Sequence, residues 1–293
     1  MANMTTTGQP QAYLDSAVGN LIVRPLQAQS VALQAATTVS VNEAANSFRV
    51  PIVSADPSVA WVGEGETIPD SSARLEEDSS QFFKLGGLTN VSSELLEDSS
   101  PAVAEVVTKG LGRSLALALD KAFFAARGSN TKAPRGLGDF NGVHAISAGA
   151  KLTSLDPFVE AVYSASEAGG AVLNSFVANP ADALSLAKIK ERSDSQRALL
   201  TPDPTRANPT TEAGLVIPAA TIAGVPLYTT PACPKGTIWG IPRDAVVVAI
   251  RKGAEITKSD QVYFTSDVTC VRALIRVTTV CGHAQSIQKI AIG

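Results

Sequence analysis

The chain has 293 residues, an apolar fraction of 45%, a charged fraction of 17% and a net charge of −3. A chain of this length buries roughly 75% of its unfolded surface on folding, so it needs no disulfide or metal staple. Its charge lacks the basic excess of a dedicated nucleic-acid reader, its cysteines (Cys233, Cys270 and Cys281) have neither disulfide-framework nor zinc spacing, and no run reaches the ~18 apolar residues of a membrane span.

Met1 to Thr7 carry no positive charge and lead into no apolar run, which predicts no secretory signal and synthesis in the cytosol. Residues 1 to 47 are rich in Ala, Ser, Thr, Gln and Asn, with apolar patches only at Leu21-Ile22-Val23 and Val39-Ser40-Val41. No helical period is sustained, so this segment reads as an extended arm. Phe48 to Val53 reads as a strand, with Pro51 marking an edge. Asp56-Pro57 signals a turn. Ala60 to Ser72 is Gly-rich and acidic, and a second strand-like run covers Gln81 to Leu85. Together they predict two strands joined by a long tip, a hairpin too polar to bury itself.

The strongest helix signal follows Ser100. Ser100 suits an N-cap and Pro101 a first helical position. Val103, Val106, Val107, Leu111, Leu115, Ala118, Leu119, Ala122 and Phe123 recur at spacings of three and four, one continuous apolar stripe. Glu105 near the start and Arg127 near the end complement the helix dipole, and Gly128 ends the run. A helix over 101–127 is about 40 Å long, long enough to act as a spine. Asp156-Pro157 opens a second helix that stops at Gly169-Gly170. Leu173 to Ala178 reads as a buried strand, and Asn179-Pro180 starts a third helix to about Ser193. Gln196 to Thr211 is a long Pro/Thr loop, of a length uncommon without a function. Strands are then predicted at 214–217, 225–230, 237–241, 245–250, 265–280 and 284–292. The architecture is α+β, with one long helix and a C-terminal antiparallel sheet.

Chemistry for catalysis is missing. His144 and His283 each stand alone, with no carboxylate or nucleophile at motif spacing. Gly63-x-Gly65 lacks the third glycine of a phosphate loop, and Ile68-Pro69 stands where its helix should start. The carboxylates Glu64, Glu66, Asp70, Glu76, Glu77 and Asp78 cluster in a polar segment where nothing desolvates them, which reads as a partner-facing acidic surface rather than acid–base or cation-binding machinery. No enzyme activity, cofactor or metal is expected.

The order of segments carries a resemblance. Ala60-Trp61-Val62-Gly63-Glu64-Gly65 leads through an acidic loop to Phe82-Phe83-Lys84-Leu85 and then to Val91-Ser92-Ser93-Glu94-Leu95-Leu96-Glu97-Asp98-Ser99. The long helix ends in Leu115-Ala116-Leu117-Ala118-Leu119-Asp120-Lys121-Ala122-Phe123, and Pro134-Arg135-Gly136-Leu137 follows. Val177-Ala178-Asn179-Pro180 and Gly224-Val225-Pro226-Leu227 with Pro231 add a strand-to-helix junction and a later turn. This pattern resembles the major capsid proteins of tailed bacteriophages, the Hong Kong 97-type fold, over roughly residues 48 to 292 and most strongly from 60 to 137.

The resemblance implies an N-terminal arm at 1–47 and an extended hairpin loop at 48–84. It also implies a peripheral domain at 85–149 with its spine helix, an axial domain at 150–242 and C-terminal peripheral strands at 243–293. It implies copies that assemble into hexamers and pentamers of an icosahedral head around double-stranded DNA, contacted non-specifically. The partners it implies are a portal, in some relatives a decoration protein, and a separate scaffolding protein unless the arm itself suffices. The protein is then a virion component assembled in the host cytoplasm, with no membrane. Trp61 to Ser80 hold six acids and the single base Arg74. The helix and its exit carry Lys109, Arg113, Lys121, Arg127, Lys132 and Arg135 against Glu105 and Asp120. The expectation is that the hairpin of one subunit (Trp61, Glu64, Glu66, Asp70, Glu76, Glu77, Asp78) lies on the basic helix face of the next (Lys109, Arg113, Lys121, Arg127). Some relatives lock their shells with an isopeptide bond from a hairpin lysine. No lysine lies between Ala60 and Gln81 here, so no such bond is expected. Two other readings stay open: an encapsulin-like nanocompartment shell, and a soluble α+β hydrolase.

Overall fold

A computed structural model describes residues 29–42, 45–55, 57–65, 67, 70, 72, 74–92, 102–190, 199–200, 220–263 and 266–293. Most of the arm, Glu66, the run after Ser92, the Ser100–Pro101 helix start, nearly all of the 196–211 loop and the 214–217 strand lie outside the described residues.

Two sheets and one long helix make the body. The first sheet has the order β1-β10-β11-β4, built from β1 (Thr37–Ser40), β10 (Val246–Tyr263), β11 (Val268–Cys281) and β4 (Phe83–Ser92). β10 opens with Val246-Val247-Val248-Ala249-Ile250, residues that suit a pleated buried surface. Along β11, Val271, Ala273, Ile275 and Val277 are buried while Arg272 and Arg276 are exposed, the period of two that marks one covered face. The spine helix, α2 (Ala102–Phe124), covers that face with Leu115, Leu119 and Phe123. Gly87 on β4 permits the close approach, because a Cβ there would stand 2.8 Å from Leu111 Cδ1.

The second sheet has the order β5-β12-β9-β6-β8-β7. Its strands are β5 (His144–Ser147), β6 (Ser175–Ala178), β7 (Ala220–Ile222), β8 (Val225–Thr229), β9 (Thr237–Ile241) and β12 (Gln288–Ala291). β6 lies in the middle and is buried at every residue. α3 (Asp156–Glu167) packs Phe158, Ala161 and Ala165 onto this sheet, with Phe158 edge-on to Phe176 at 5.2 Å. α4 (Pro180–Ala187) follows β6, with the Asn179 side chain accepting from the Ala181 N–H as an N-cap. Trp239 on β9 joins the halves by donating its indole N–H to the Phe124 carbonyl at 3.1 Å.

Several expectations are corrected here. The C-terminal strands are not one antiparallel sheet. β1 runs parallel to β10, β5 to β12 and β6 to β8. β12 leaves the first sheet and inserts between β5 and β9, where Gln288 and Ile290 are buried. The spine helix ends at Phe124 rather than 127, and 23 residues give about 35 Å. α4 stops at Ala187, not Ser193, and β10 runs on to Tyr263. Residues 30 to 40 are not a bare extended arm. They form α1 (Val31–Ala35) and the edge strand β1, docked on the body.

Candidate assembly surfaces

The hairpin is a two-stranded ribbon separate from both sheets, β2 (Ser47–Ala55) against β3 (Arg74–Gln81). The return strand begins at Arg74 rather than Gln81. Arg-Leu-Glu-Glu-Asp-Ser-Ser-Gln has little strand propensity of its own; pairing with Phe48 to Val53 supplies the order. Glu76, Glu77 and Asp78 are therefore ladder residues opposite Ile52, Pro51 and Val50, not tip residues. Glu76 and Glu77 are exposed, as are Glu64, Asp70 and Leu75. Trp61 is fully exposed, and so is Val59.

Two of these acids have partners within their own subunit. Glu77 pairs with Arg49 across the ribbon at 3.1 Å. Asp78 sits at the ribbon base, where one carboxylate oxygen takes Arg135 Nη2 at 2.6 Å and the other accepts the Cys281 N–H at 3.0 Å. This pins the ribbon to the end of β11 and to the loop after the spine helix. Thr278 Oγ1 and Ser80 Oγ add a bond at 2.8 Å.

That loop explains the Pro134-Arg135-Gly136-Leu137 run. Gly136 lies so close to the helix end that a Cβ would run into the Ala122 and Ala125 carbonyl oxygens. Leu137 is fully buried, and Arg135 lies over the Phe140 ring at 5.2 Å. Asp139 ties the turn by accepting the Arg127 and Gly136 N–H groups at 2.6 and 2.9 Å.

The four basic residues assigned to one helix face do not share it. Lys109 and Arg113 are one turn apart and both exposed, whereas Lys121 lies about 120° round the axis from Lys109 and about 80° from Arg113 at 3.6 residues per turn. Arg127 lies past the helix. Arg113 borders a groove with Leu88, Val107, Gly110, Leu111 and Leu117. Lys121 and Arg127 border a second groove of about 360 Å³ with Phe83, Lys84, Leu85, Leu119, Ala122 and Lys132. Lys84 and Lys132 stand outside the four residues assigned to the basic helix face.

Asp120 was also missed as a site. It is 2% exposed, faces no cation in its hydrogen-bond set, and accepts from Ser30 Oγ at 2.6 Å, Val31 N at 3.1 Å and Ala32 N at 3.0 Å. Burial pushes its carboxyl up to about 6, against the opposing pull of those hydrogen bonds. The signal was present: one acid interrupts the apolar run from Leu115 to Phe124.

The histidines do not converge on a reactive group. His144 Nδ1 meets Gln288 Oε1 at 2.8 Å, and His283 borders Gly169. The cysteines are free and buried, with burial raising Cys233 to about 12 and Cys281 to about 11. Among the described residues, no helix is long and apolar enough to cross a membrane.

A body with docked N-terminal segment, projecting ribbon, long spine helix and two sheets is the fold of phage capsid proteins. The chain is similar to the capsid of an empty GTA particle, with 20% identity over 89% of this chain and 88% of that one and a TM-score of 0.68. It is similar to the structure from Microbacterium phage Oxtober96, with 19% identity over 90% and 91% and a TM-score of 0.68. It is similar over 99% and 98% of the two chains to that from Mycobacterium phage Adephagia, at 14% identity and a TM-score of 0.67. The model of the Phage capsid family matches residues 14–292, and the chain belongs to that family. It is a structural, non-enzymatic capsid protein of a phage, consistent with the Hong Kong 97-type fold expected from its sequence. No curated protein matches it.

Proposed function

We propose that this chain is the major capsid subunit of a tailed phage, forming hexamers and pentamers of an icosahedral head that encloses double-stranded DNA. The observation that carries the reading is the β2–β3 ribbon. A two-stranded ribbon is marginal in water alone, yet this one projects from the body with an exposed tryptophan and exposed carboxylates. Such a structure needs a neighbour, and identical neighbours in closed symmetry supply one to every copy.

In this reading residues 1–47 are the arm, 48–84 the hairpin, 85–149 with 243–293 the peripheral domain and 150–242 the axial domain. β5 and β12 tie the two domains by joining the axial sheet. The acids free for a neighbour, Glu64, Asp70 and Glu76, meet basic surfaces of the next copy, one with Lys109 and Arg113 and the other, round the helix, with Lys121 and Arg127. Each exposed pair contributes only about 0–1 kcal/mol, but complementary charge fixes register and rejects wrong docking. In this reading a portal and, unless the arm suffices, a scaffolding protein act from separate chains, and assembly takes place in the host cytoplasm.

Negative-stain microscopy of the protein expressed alone and with its neighbouring genes tests this reading. Closed particles tens of nanometres wide, holding DNA when packaging genes are present, are the expected result. Particles filled with protein cargo would favour a nanocompartment. A monomer under every condition would overturn the proposal.

A further inference from the structure

The face of the first sheet that the spine helix leaves uncovered carries charge that a single subunit does not balance. The period of two turns Arg272, Leu274 and Arg276 of β11 away from the helix, with Leu88, Gly86 and Lys84 of the edge strand β4 directly opposite them. Arg272, Arg276 and Lys84 are exposed. Arg276 has Lys84 as its register partner on one side and Lys252 of β10 on the other. Three cations therefore share one rung of three neighbouring strands, at a spacing of about 5 Å where like charges destabilise a sheet. Among the described residues Lys84, Arg272 and Arg276 form no ion pair. Glu255, opposite Leu274, is the only acid at a described register position on this face.

Between the cations the face is apolar. Leu274 lies over Gly86, where a Cβ would stand 2.6 Å from Leu274 Cδ2. Leu88, opposite Arg272, is 59% exposed. Four residues along β11 put Arg272 and Arg276 about 13 Å apart, with Leu274 between them. An apolar centre with a charged rim is the anatomy of a protein interface. A phosphate backbone would use the cations and leave the leucines bare, so the pattern favours a polypeptide over a nucleic acid.

We infer that this face docks an acidic segment of a separate protein, which sets an apolar side chain on Leu274 and Leu88 and carboxylates on Arg272, Arg276 and Lys84. A separate chain is required because the contacts between copies proposed above use cations on and just past the spine helix, which covers the other face of this sheet. The inference rests on the shell reading for that point, and adds a partner of a different kind that binds after the copies have met.

The probe is a fluorescein-labelled peptide of repeating Glu-Leu-Glu, with a Lys-Leu-Lys peptide and a short DNA duplex as controls. Fluorescence anisotropy should show the free subunit binding the acidic peptide more tightly than either control, and less tightly as salt rises. Arg272→Gln combined with Arg276→Gln should weaken the acidic peptide about tenfold, as two exposed charge pairs allow. Leu88→Ser should weaken it severalfold. All three residues are exposed, so the variants should melt with the parent. Assembled particles should bind the peptide as the free subunit does.

A double variant that binds the peptide like the parent overturns the inference. So does a duplex that binds more tightly than the peptide and loses affinity in the same variant, which would make this a nucleic-acid face. Particles that fail to bind while free subunits bind overturn it too, because a second copy then covers the face; the shell reading survives that result. A chain that forms no particles overturns the shell reading, and the peptide measurements on the free subunit then decide this inference by themselves.

Discussion

Replacing Asp120 with alanine tests how the N-terminal segment is held to the body. Asp120→Ala removes the acceptor for three donors at once: the Ser30 hydroxyl and the Val31 and Ala32 amides. All three residues are buried, and each orphaned donor costs about 1–3 kcal/mol. The substitution also relieves a buried charge. A shift from 3.8 to about 6 corresponds to about 3 kcal/mol of penalty on the ionised form, which offsets part of the loss. A net destabilisation of up to about 6 kcal/mol remains, in the range of a broken buried polar network. It falls first on α1 and β1, because this carboxylate joins them to the spine helix. Hydrogen exchange read by mass spectrometry should show faster exchange over residues 31–40, with the spine helix and β11 unchanged. Global melting should drop by roughly 2–4 °C for each kcal/mol that reaches the whole fold. Unchanged exchange over 31–40 would refute the anchoring role of Asp120.

The other outcomes follow from the same geometry. The raised carboxyl of Asp120 means the folded chain takes up a proton near pH 6 and the unfolded chain near 3.8, so this group makes the fold more stable as pH falls from about 6 towards 4 and less stable as it rises again. Asp120→Asn should flatten that part of the urea-denaturation profile, and an identical profile would count against it. Gly136→Ala forces a methyl into the Ala122 and Ala125 carbonyls; melting should show a loss of about 3 kcal/mol or more, and a neutral result would mean the loop moves freely off the helix end. Reversing Glu64 and Glu76 to lysine should leave the subunit melting point unchanged and reduce particle yield. Adding Asp78→Lys should also lower the melting point, because Arg135 and the Cys281 amide lose their acceptor.

The spine helix, β6, β8, β9 and α3 were legible because each carries a strong local signal: a stripe of spacing three and four, a run of β-branched residues, or a cap. β3 was not, because Arg-Leu-Glu-Glu-Asp-Ser-Ser-Gln is a strand only through its partner. The parallel pairings of β1 and β12 were hidden because each joins residues far apart in the chain, and four-residue strands leave little periodicity to read. Charge counts placed Asp78 and Arg135 on opposite sides of an intermolecular contact. The fold uses them on each other, since residues 57 positions apart meet at the ribbon base. The basic residues were identifiable by type but not by face, because the helix ends before Arg127 and turns Lys121 away from Lys109.

The edge strand β1 also sets a schedule. Thr37 to Ser40 pair with Val247 to Ile250, a partner made about 210 residues later, and pairings of that span close slowly. A ribosome must therefore release nearly the whole polypeptide before this margin of the sheet can be sealed. Until then the valine-rich border of β10 and the carboxylate of Asp120 wait for the same short stretch of chain, so nascent subunits pass through a stage in which their outline is incomplete and open to chaperones or to each other.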